Sequence, residues 1–549
     1  GNGDTILFDP GVFPPTSSMR ISLLSPLPSV ELGGVTIDGS DAGVIIDGSQ
    51  VGSSPDTLLL DEVSMRVDGS PDLIVNGGFD AGMEHWRPWD DEAGAVRGIN
   101  TTDPYISPNA YSWKTIAHVG SGRTFYDTTA TDAPLDGPPP PTSTVWVTAT
   151  GGVTVEVDFW YRYDSGALIL KLWGLWPDGT RYWFGEQRFE AAPMWTQGVY
   201  RVVLPADITA FALEINFDHS DAWATGLSLA SDNNVVRGVQ IVNFPGIGVT
   251  ISGSGNQIGG DRGIGAGPLG QGNLISANGG NGVVIGGSDA MSNTVIGNYI
   301  GTDVDGIGDL GNEGSGVFVG DGAMYNLIGG DTAGERNVIG GNSWTGISID
   351  GLGTMSNTVS GNYIGVDATG ASALSNAVGG IFITYEANYN LIGGENASPG
   401  GSCTGECNLI ASGGINLWGN TQFNTVSGNY IGTNVNGAVG LGADASGAGG
   451  IFIYDGASYN LIGGNTPGER NLISGNGNIG VKIYGSSTMS NVIVGNRIGT
   501  DVSGMAAIPN TNGILIREGA SSNRIGGATA ASENLIAYNV KSGIAIEGN

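Results

Sequence analysis

The sequence predicts an all-β chain, a parallel β-helix interrupted by a β-sandwich. Three observations predict it. Gly accounts for 98 of 549 residues, more than twice its usual share of roughly 7%. Two short phrases rich in Asn and Gly return along residues 226–549. Ten of the twelve Trp fall between Trp86 and Trp223, where those phrases are absent.

The glycine content, with many β-branched residues, opposes long helices. Collagen is excluded, because Pro is only 23 and no strict three-residue Gly period exists. Disorder is excluded, because 40% of residues are hydrophobic and recur regularly.

The phrases set the architecture. Asn-Thr-Val-Ile-Gly-Asn-Tyr-Ile-Gly begins at Asn293 and returns at Asn357, Asn424 and, degraded, at Asn491, so the spacings are 64, 67 and 67 residues. Between these copies, Asn-Leu-Ile-Gly-Gly begins at Asn326, Asn390 and Asn460. Both reduce to Asn-x-aliphatic-x-Gly, then Asn-x-Ile, then Gly-x-x-Ile, with insertions at different places. Residues 234–255 show the unit without insertion, 22 residues long. A unit this small cannot bury its own apolar face, whereas stacked units bury a continuous column and pair every strand with the coil above and below. Gly supplies the tight corners, and Asn tolerates αL there and pairs with its own copy one coil away. About ten coils follow residue 226, a rod of roughly 50 Å at ~4.8 Å per coil.

Residues 1–49 carry the same style in Gly3-Asp-Thr-Ile-Leu-Phe-Asp-Pro, Val35-Thr-Ile-Asp-Gly-Ser and Gly43-Val-Ile-Ile-Asp-Gly-Ser, and read as the first coils. With the Gly-Asn-Tyr-Ile-Gly-Thr-Asp repeats, these segments resemble the right-handed parallel β-helix repeat proteins of bacterial cell surfaces, in the pectate-lyase-like superfamily. The resemblance covers residues 1–49 and 226–549. It implies the fold and its handedness; activity does not follow, since such folds serve lyases, hydrolases, adhesins and structural proteins.

Residues 50–225 read as an inserted jelly-roll sandwich. Val153 to Arg162 and Ala167 to Trp173 alternate in the strand manner, and Pro177-Asp-Gly-Thr is a hairpin turn leading into Arg181-Tyr-Trp-Phe. Leu73-Ile-Val-Asn-Gly-Gly-Phe-Asp with His85-Trp86 resembles the opening strand of jelly-roll carbohydrate-binding modules. Leu58-Leu-Leu-Asp-Glu-Val-Ser-Met resembles their closing strand, yet comes first here, which leaves the boundary near residue 50 open. The resemblance implies a structural Ca²⁺ whose ligands the sequence does not place; no motif requires a cofactor.

The candidate binding residues follow from strand alternation. Glu156, Asp158, Trp160 and Arg162 share one face of their strand, with Trp173 and Trp183 on the next two. Aromatic rings beside charged groups suit a sugar, the ring stacking on its C–H face and the charges bonding its hydroxyls; packing against loops is the competing reading. In the rod, Trp418, Tyr454, Tyr484 and Arg517 fall at one position of four successive coils. They form either a glycan platform or an aromatic ladder that stabilises the corner.

Thr302-Asp303-Val-Asp305-Gly and its relatives at Asp367 and Asp501 read as Asx-turns rather than Ca²⁺ loops, since the third copy has Asn434 and Asn436. Gly265-Ala-Gly-Pro-Leu-Gly270 matches the dinucleotide fingerprint only by letter. Cys403 and Cys407 predict a loop-closing disulfide, two free thiols being the alternative, and a disulfide implies an oxidising compartment.

For catalysis the rod is poorly supplied. From residue 226 it holds no His, two Lys and seven Arg. Asp321, Asp455 and Glu518 recur on alternate coils, too far apart to converge; Asp350 and Glu386 on adjacent coils are the best carboxylate pair. Lys plus Arg is 20 against 52 Asp plus Glu, a net charge of −32. That excludes a nucleic-acid backbone or an anionic membrane face as partner, and no apolar run is long enough for a membrane span.

The expected function is therefore a non-catalytic structural or adhesive protein, secreted or on the cell surface, that contacts polysaccharide; the alternative is a polysaccharide lyase or glycoside hydrolase acting along the rod. The start at Gly1 reads as a processed N-terminus. The uncapped last coil predicts head-to-tail self-association, and truncation of a longer array explains it equally well.

Overall fold

The computed structural model describes residues 4–49 apart from 17, 24–26, 28 and 32; the strands between 56 and 219 with a few neighbouring positions; and residues 225–548 apart from 412 and 442–448. The chain divides into two compact units, Gly1–Ser49 with Thr225–Asn549, and Gln50–Ala224.

The first unit is a parallel β-helix. Its strands form three all-parallel sheets of 12, 12 and 11 strands. The first face runs from Thr5–Leu7 and Thr36–Asp38 through Val235–Arg237 to Arg524–Ile525. The second runs from Met19–Ser22 and Val44–Asp47 through Val239–Val242 to Leu535–Ile536, and the third from Leu227–Leu229 to Ile544–Ile546. One strand from each face makes a coil, numbered here from coil 1 at Thr5–Leu7 to coil 12 at Arg524–Ile525. Ten of the twelve first-face strands follow residue 226, the number the repeat predicts.

The strands are short because each carries only one or two inward aliphatic residues before a corner. Ile258, Val295, Ile328, Val359 and Ile392 on the first face are all 0% exposed. They stack in register, Ile258 on Val295 on Ile328. At the next corner Gly297 has φ +69°, and a Cβ there would collide with the Gly260 carbonyl oxygen, so the backbones approach as only Gly allows.

Asn holds the corners together. Before the first face, Asn293, Asn326, Asn357, Asn390, Asn424 and Asn460 form a ladder in which each Oδ1 accepts from the Nδ2 of the Asn one coil earlier, at 2.9–3.1 Å. The same Oδ1 accepts from that earlier residue's backbone N–H, as Asn326 does from Asn293 (2.9 Å). A second ladder, from Asn273 through Asn298, Asn337, Asn362, Asn408 and Asn429 to Asn471, precedes the second face. A third lies beyond it at Asn278, Asn312, Asn342 and Asn376, resuming at Asn476 and Asn510. These amides are buried, so each ladder satisfies polar groups that would otherwise be orphaned.

From coil 4 onward the loops alternate. Even coils carry theirs between the first and second faces, as at residues 329–337 and 394–408; odd coils carry theirs between the second and third, as at 301–316 and 365–378. Loops on one side are thus two coils apart, roughly 9.6 Å, about the thickness of one packed layer of chain. The segment Gly265–Gly270 lies in the first such loop, among turns and bends with no helix after it.

The second unit is an antiparallel β-domain. Thr154–Leu175 pairs along its whole length with Arg181–Val203. On its other edge its first half pairs with Asp56–Val67 and its second half with Ala210–His219. Two of the three register shifts against Arg181–Val203 fall between Tyr161 and Ala167, where the partner changes, and the third at Leu172–Trp173. A strand that changes partner across bulges is how a sandwich turns its corners. Asp56–Val67 belongs to this network, so the segment around Leu58 lies in the inserted unit and the rod ends its first stretch at Ser49.

Candidate functional site

In the inserted unit the backbone places each predicted residue. Val155 and Val157 are 0% exposed, and Glu156 and Asp158 alternate with them on the same strand. Trp173 lies directly opposite Trp183 across the hairpin. Trp160 pairs with Gln197 and Asp61, near the other end of the strand. Trp160 and Trp173 lie on halves of the strand that pair with different neighbours, Asp56–Val67 and Ala210–His219, with the register shifts between Tyr161 and Ala167 separating them. The side chains of Glu156, Asp158, Trp160, Arg162, Trp173 and Trp183, and the segment from Leu73 to His85, lie outside the described residues.

In the rod the four predicted positions do stack. Trp418 and Tyr454 have ring centroids 6.0 Å apart and planes 7° from parallel, and Tyr454 and Tyr484 are 4.8 Å and 10° apart. Lys482 Nζ lies 4.0 Å and Arg517 5.8 Å from the Tyr484 ring. The ring faces are turned to each other and to cations, leaving edges toward solvent. This is the ladder alternative, worth about 0.5–1.5 kcal/mol per aromatic pair beyond buried area. Burial holds the Tyr454 hydroxyl up at about 12, with the neighbouring Tyr484 adding to it.

Beside the ladder the third face opens into a groove of about 500 Å³, lined by Phe318, Trp344, Phe382, Tyr385 and Trp418 together with Ser348, Asp350 and Thr384. Phe318, Ser348, Phe382 and Asn416 are register partners on successive coils, so the two Phe rings stand two coils apart with a small polar residue between. Trp344 is 57% and Tyr385 55% exposed, and Tyr385 meets Trp418 edge-on at 4.4 Å. Asp350 accepts a hydrogen bond from the Thr384 hydroxyl. Trp418 Nε1 is buried with no hydrogen-bond partner. Sequence reasoning found Trp418 but missed Phe318, Trp344, Phe382 and Tyr385. The signal was present in Val317-Phe-Val and Ile381-Phe-Ile, where Phe holds the outward position of the strand.

The corner carboxylates recur singly. Asp321, Glu386, Asp455 and Glu518 all sit in αL corners, with φ between +50° and +66°, on alternate coils and exposed. Asp303, Asp367 and Asp501 close their own loops: Asp303 Oδ1 accepts from Ile307 N (2.9 Å), Asp367 Oδ1 from Ala371 N (3.2 Å) and Asp501 Oδ1 from Met505 N (2.9 Å). Asn434 accepts from Ala438 N in the same way (3.0 Å), which is why Asn and Asp interchange there. Among the described residues no group of three His, Cys, Asp or Glu side chains is placed to hold a metal ion.

Cys403 and Cys407 are joined in a disulfide. No helix among the described residues is long and apolar enough to cross a membrane. No family model matches the chain, and no curated protein is similar enough to count as a relative.

Proposed function

We propose that the chain is a secreted or cell-surface structural or adhesive protein that contacts polysaccharide without cleaving it. The observation that carries this is the groove on the third face. Exposed Trp344 and Tyr385 offer apolar ring surface beside Asp350, Ser348 and Thr384, the combination that suits a pyranose with one C–H face and a rim of hydroxyls. A groove running across successive coils suits an extended chain of sugars rather than a compact ligand. Polysaccharide contact through the inserted unit, whose Trp173 and Trp183 lie opposite one another, belongs to the same reading. So does head-to-tail self-association, which would continue the parallel pairing of coils from one copy to the next. The Cys403–Cys407 disulfide supports an oxidising compartment.

The test is affinity electrophoresis against neutral and acidic polysaccharides. Wild type is retarded by at least one of them, and Trp344→Ala releases most of that retardation while melting at the wild-type temperature. Retardation unchanged in Trp344→Ala removes the groove from the proposal. New reducing or unsaturated ends in the same incubations would replace binding with hydrolysis or elimination.

A further inference from the structure

The loops between the first and second faces repeat a cation–π pair and then abandon it. Arg336, just before ladder residue Asn337 in coil 6, lies 4.0 Å over the ring of Tyr363 in coil 7. Arg262 in coil 4 lies 4.7 Å over Tyr299 in coil 5. It reaches that place from earlier in its loop, its Cγ being 2.8 Å from where a Cβ on Gly272 would stand. The next two pairs break the rule. In coil 8 the position before Asn408 is Cys407, tied to Cys403, so Tyr430 of coil 9 has no arginine from that loop. In coil 10 Arg470 keeps its place and donates Nε to Gly495 O (2.9 Å), as Arg336 does to Gly361 O. Its partner on coil 11, however, is Arg497 where the repeat has Tyr.

Both breaks meet in one cavity of about 220 Å³. Asn396, Pro399 and Gly400, in the loop that carries the disulfide, form one wall, and Tyr430, Arg470 and Arg497 another. The volume is that of about seven waters. The Tyr430 hydroxyl donates to Gly401 O (2.6 Å) and steadies the wall. Among the described residues neither guanidinium forms an ion pair, although Arg497 donates Nη1 to Val502 O and the Asp501 carboxylate acts favourably on it. Burial, and then the adjacent Arg470 charge, hold Arg497 below its usual range. Two like charges in one partly buried cavity oppose each other, and an anion between them removes the repulsion. Guanidinium forks match planar and tetrahedral oxyanions in two-point contacts. In a chain of net charge −32 this concentration of cations is local.

We infer that the cavity between the disulfide-bearing loop 394–408 and Arg470 and Arg497 binds a small oxyanion, a carboxylate, sulfate or phosphate group. The inference stands apart from the third-face groove, since none of its residues line that groove.

The test is calorimetric titration of the full chain, at low ionic strength, with sodium sulfate, phosphate and glucuronate. Wild type binds at least one of them at a single site. Arg497→Tyr, which restores the residue used in coils 5, 7 and 9, lowers that affinity at least tenfold while melting at or above the wild-type temperature. Arg470→Gln lowers the affinity equally. Stronger binding of sulfate or phosphate identifies a free ion as ligand, and stronger binding of glucuronate identifies a group carried on a sugar. No saturable binding by wild type, or wild-type affinity in Arg497→Tyr, overturns the inference. Loss of groove binding in Trp344→Ala leaves this titration unchanged, so the two readings fail separately.

Discussion

Coils 4–7 and coils 8–11 are built on the same three sheets and the same first and second Asn ladders, yet their outer loops differ. In the earlier coils Arg262 and Arg336 cover Tyr299 and Tyr363. In the later coils a disulfide replaces one arginine, and an arginine replaces one tyrosine. The first two ladders and the core run unbroken through both stretches, whereas the third ladder stops at Asn376 and resumes at Asn476. Outer loops pack on the strands beneath them, as Cys403 and Cys407 do beside Leu409 and Tyr430, but no ladder runs through them, so their residues vary from coil to coil. A repeat protein therefore carries its own reference, and departures confined to neighbouring outer positions stand out against it.

The largest effect should be common to both regions. Asn298→Ala in coil 5 and Asn429→Ala in coil 9 each remove buried bonds to two backbone carbonyls and to the next Asn. Each should cost about 3 kcal/mol or more, at 1–3 kcal/mol per orphaned group, seen as similar drops in melting temperature. Clearly unequal drops would mean that this ladder does not bind the two stretches equally. Cys403→Ser comes next, and acts only on the later coils. Closing a five-residue loop contributes about 2 kcal/mol in the chain-entropy picture, and proteolysis of the 396–407 loop under native conditions reads its loss.

The third prediction separates the regions by sign. Arg336→Ala removes a cation–π contact and should destabilise by about 1 kcal/mol. Arg470→Ala relieves a like-charge contact and should leave stability unchanged or slightly raised in anion-free buffer. Equal destabilisation by both would dissolve the distinction. The smallest effect is alkaline. Burial pushes the Tyr430 hydroxyl up to about 12, from an unfolded value of 10.0. The unfolded chain then ionises first, so stability is full below pH 10 and falls as pH rises toward 12. Tyr430→Phe should flatten that fall, followed by denaturant titration at several pH values.

Much of the fold was legible because the phrase Asn-x-aliphatic-x-Gly names corner and core together. Asn at each ladder position and Val295 or Ile300 on the inner side of their strands behave as their spacing demands. The site was less legible. Trp418, Tyr454 and Tyr484 share a stack as their shared position predicts, but spacing does not say which way a ring faces, and stacking hides the faces a sugar would use. The outward Phe318 and Phe382 were hidden inside apolar strands that read as core. A second outer stack, Tyr389 on Phe423 on Tyr459 with centroids 5.0 and 5.4 Å apart, escaped because aromatic residues rarely occupy αL, and all three have φ near +60°. Arg497 was visible as the odd residue in Gly-Asn-Arg-Ile-Gly, but its meaning needed the cavity. In the inserted unit, alternation assigned strand faces correctly for Val155 and Val157, while the register shifts along a 22-residue strand defeat any reading of which distant tryptophans come together.

Ladders, groove and oxyanion cavity all depend on coils stacked parallel and in register, and spin-label distances measure that directly. Labels at Val284 and Lys482 are six register steps apart through Phe318, Ser348, Phe382, Asn416 and Phe452. That places their backbones about 29 Å apart at ~4.8 Å per step. Moving the second label to Leu515, one coil further, should add one step, about 5 Å. A separation that stays constant or shrinks on that move would contradict the stacked coil and everything built on it.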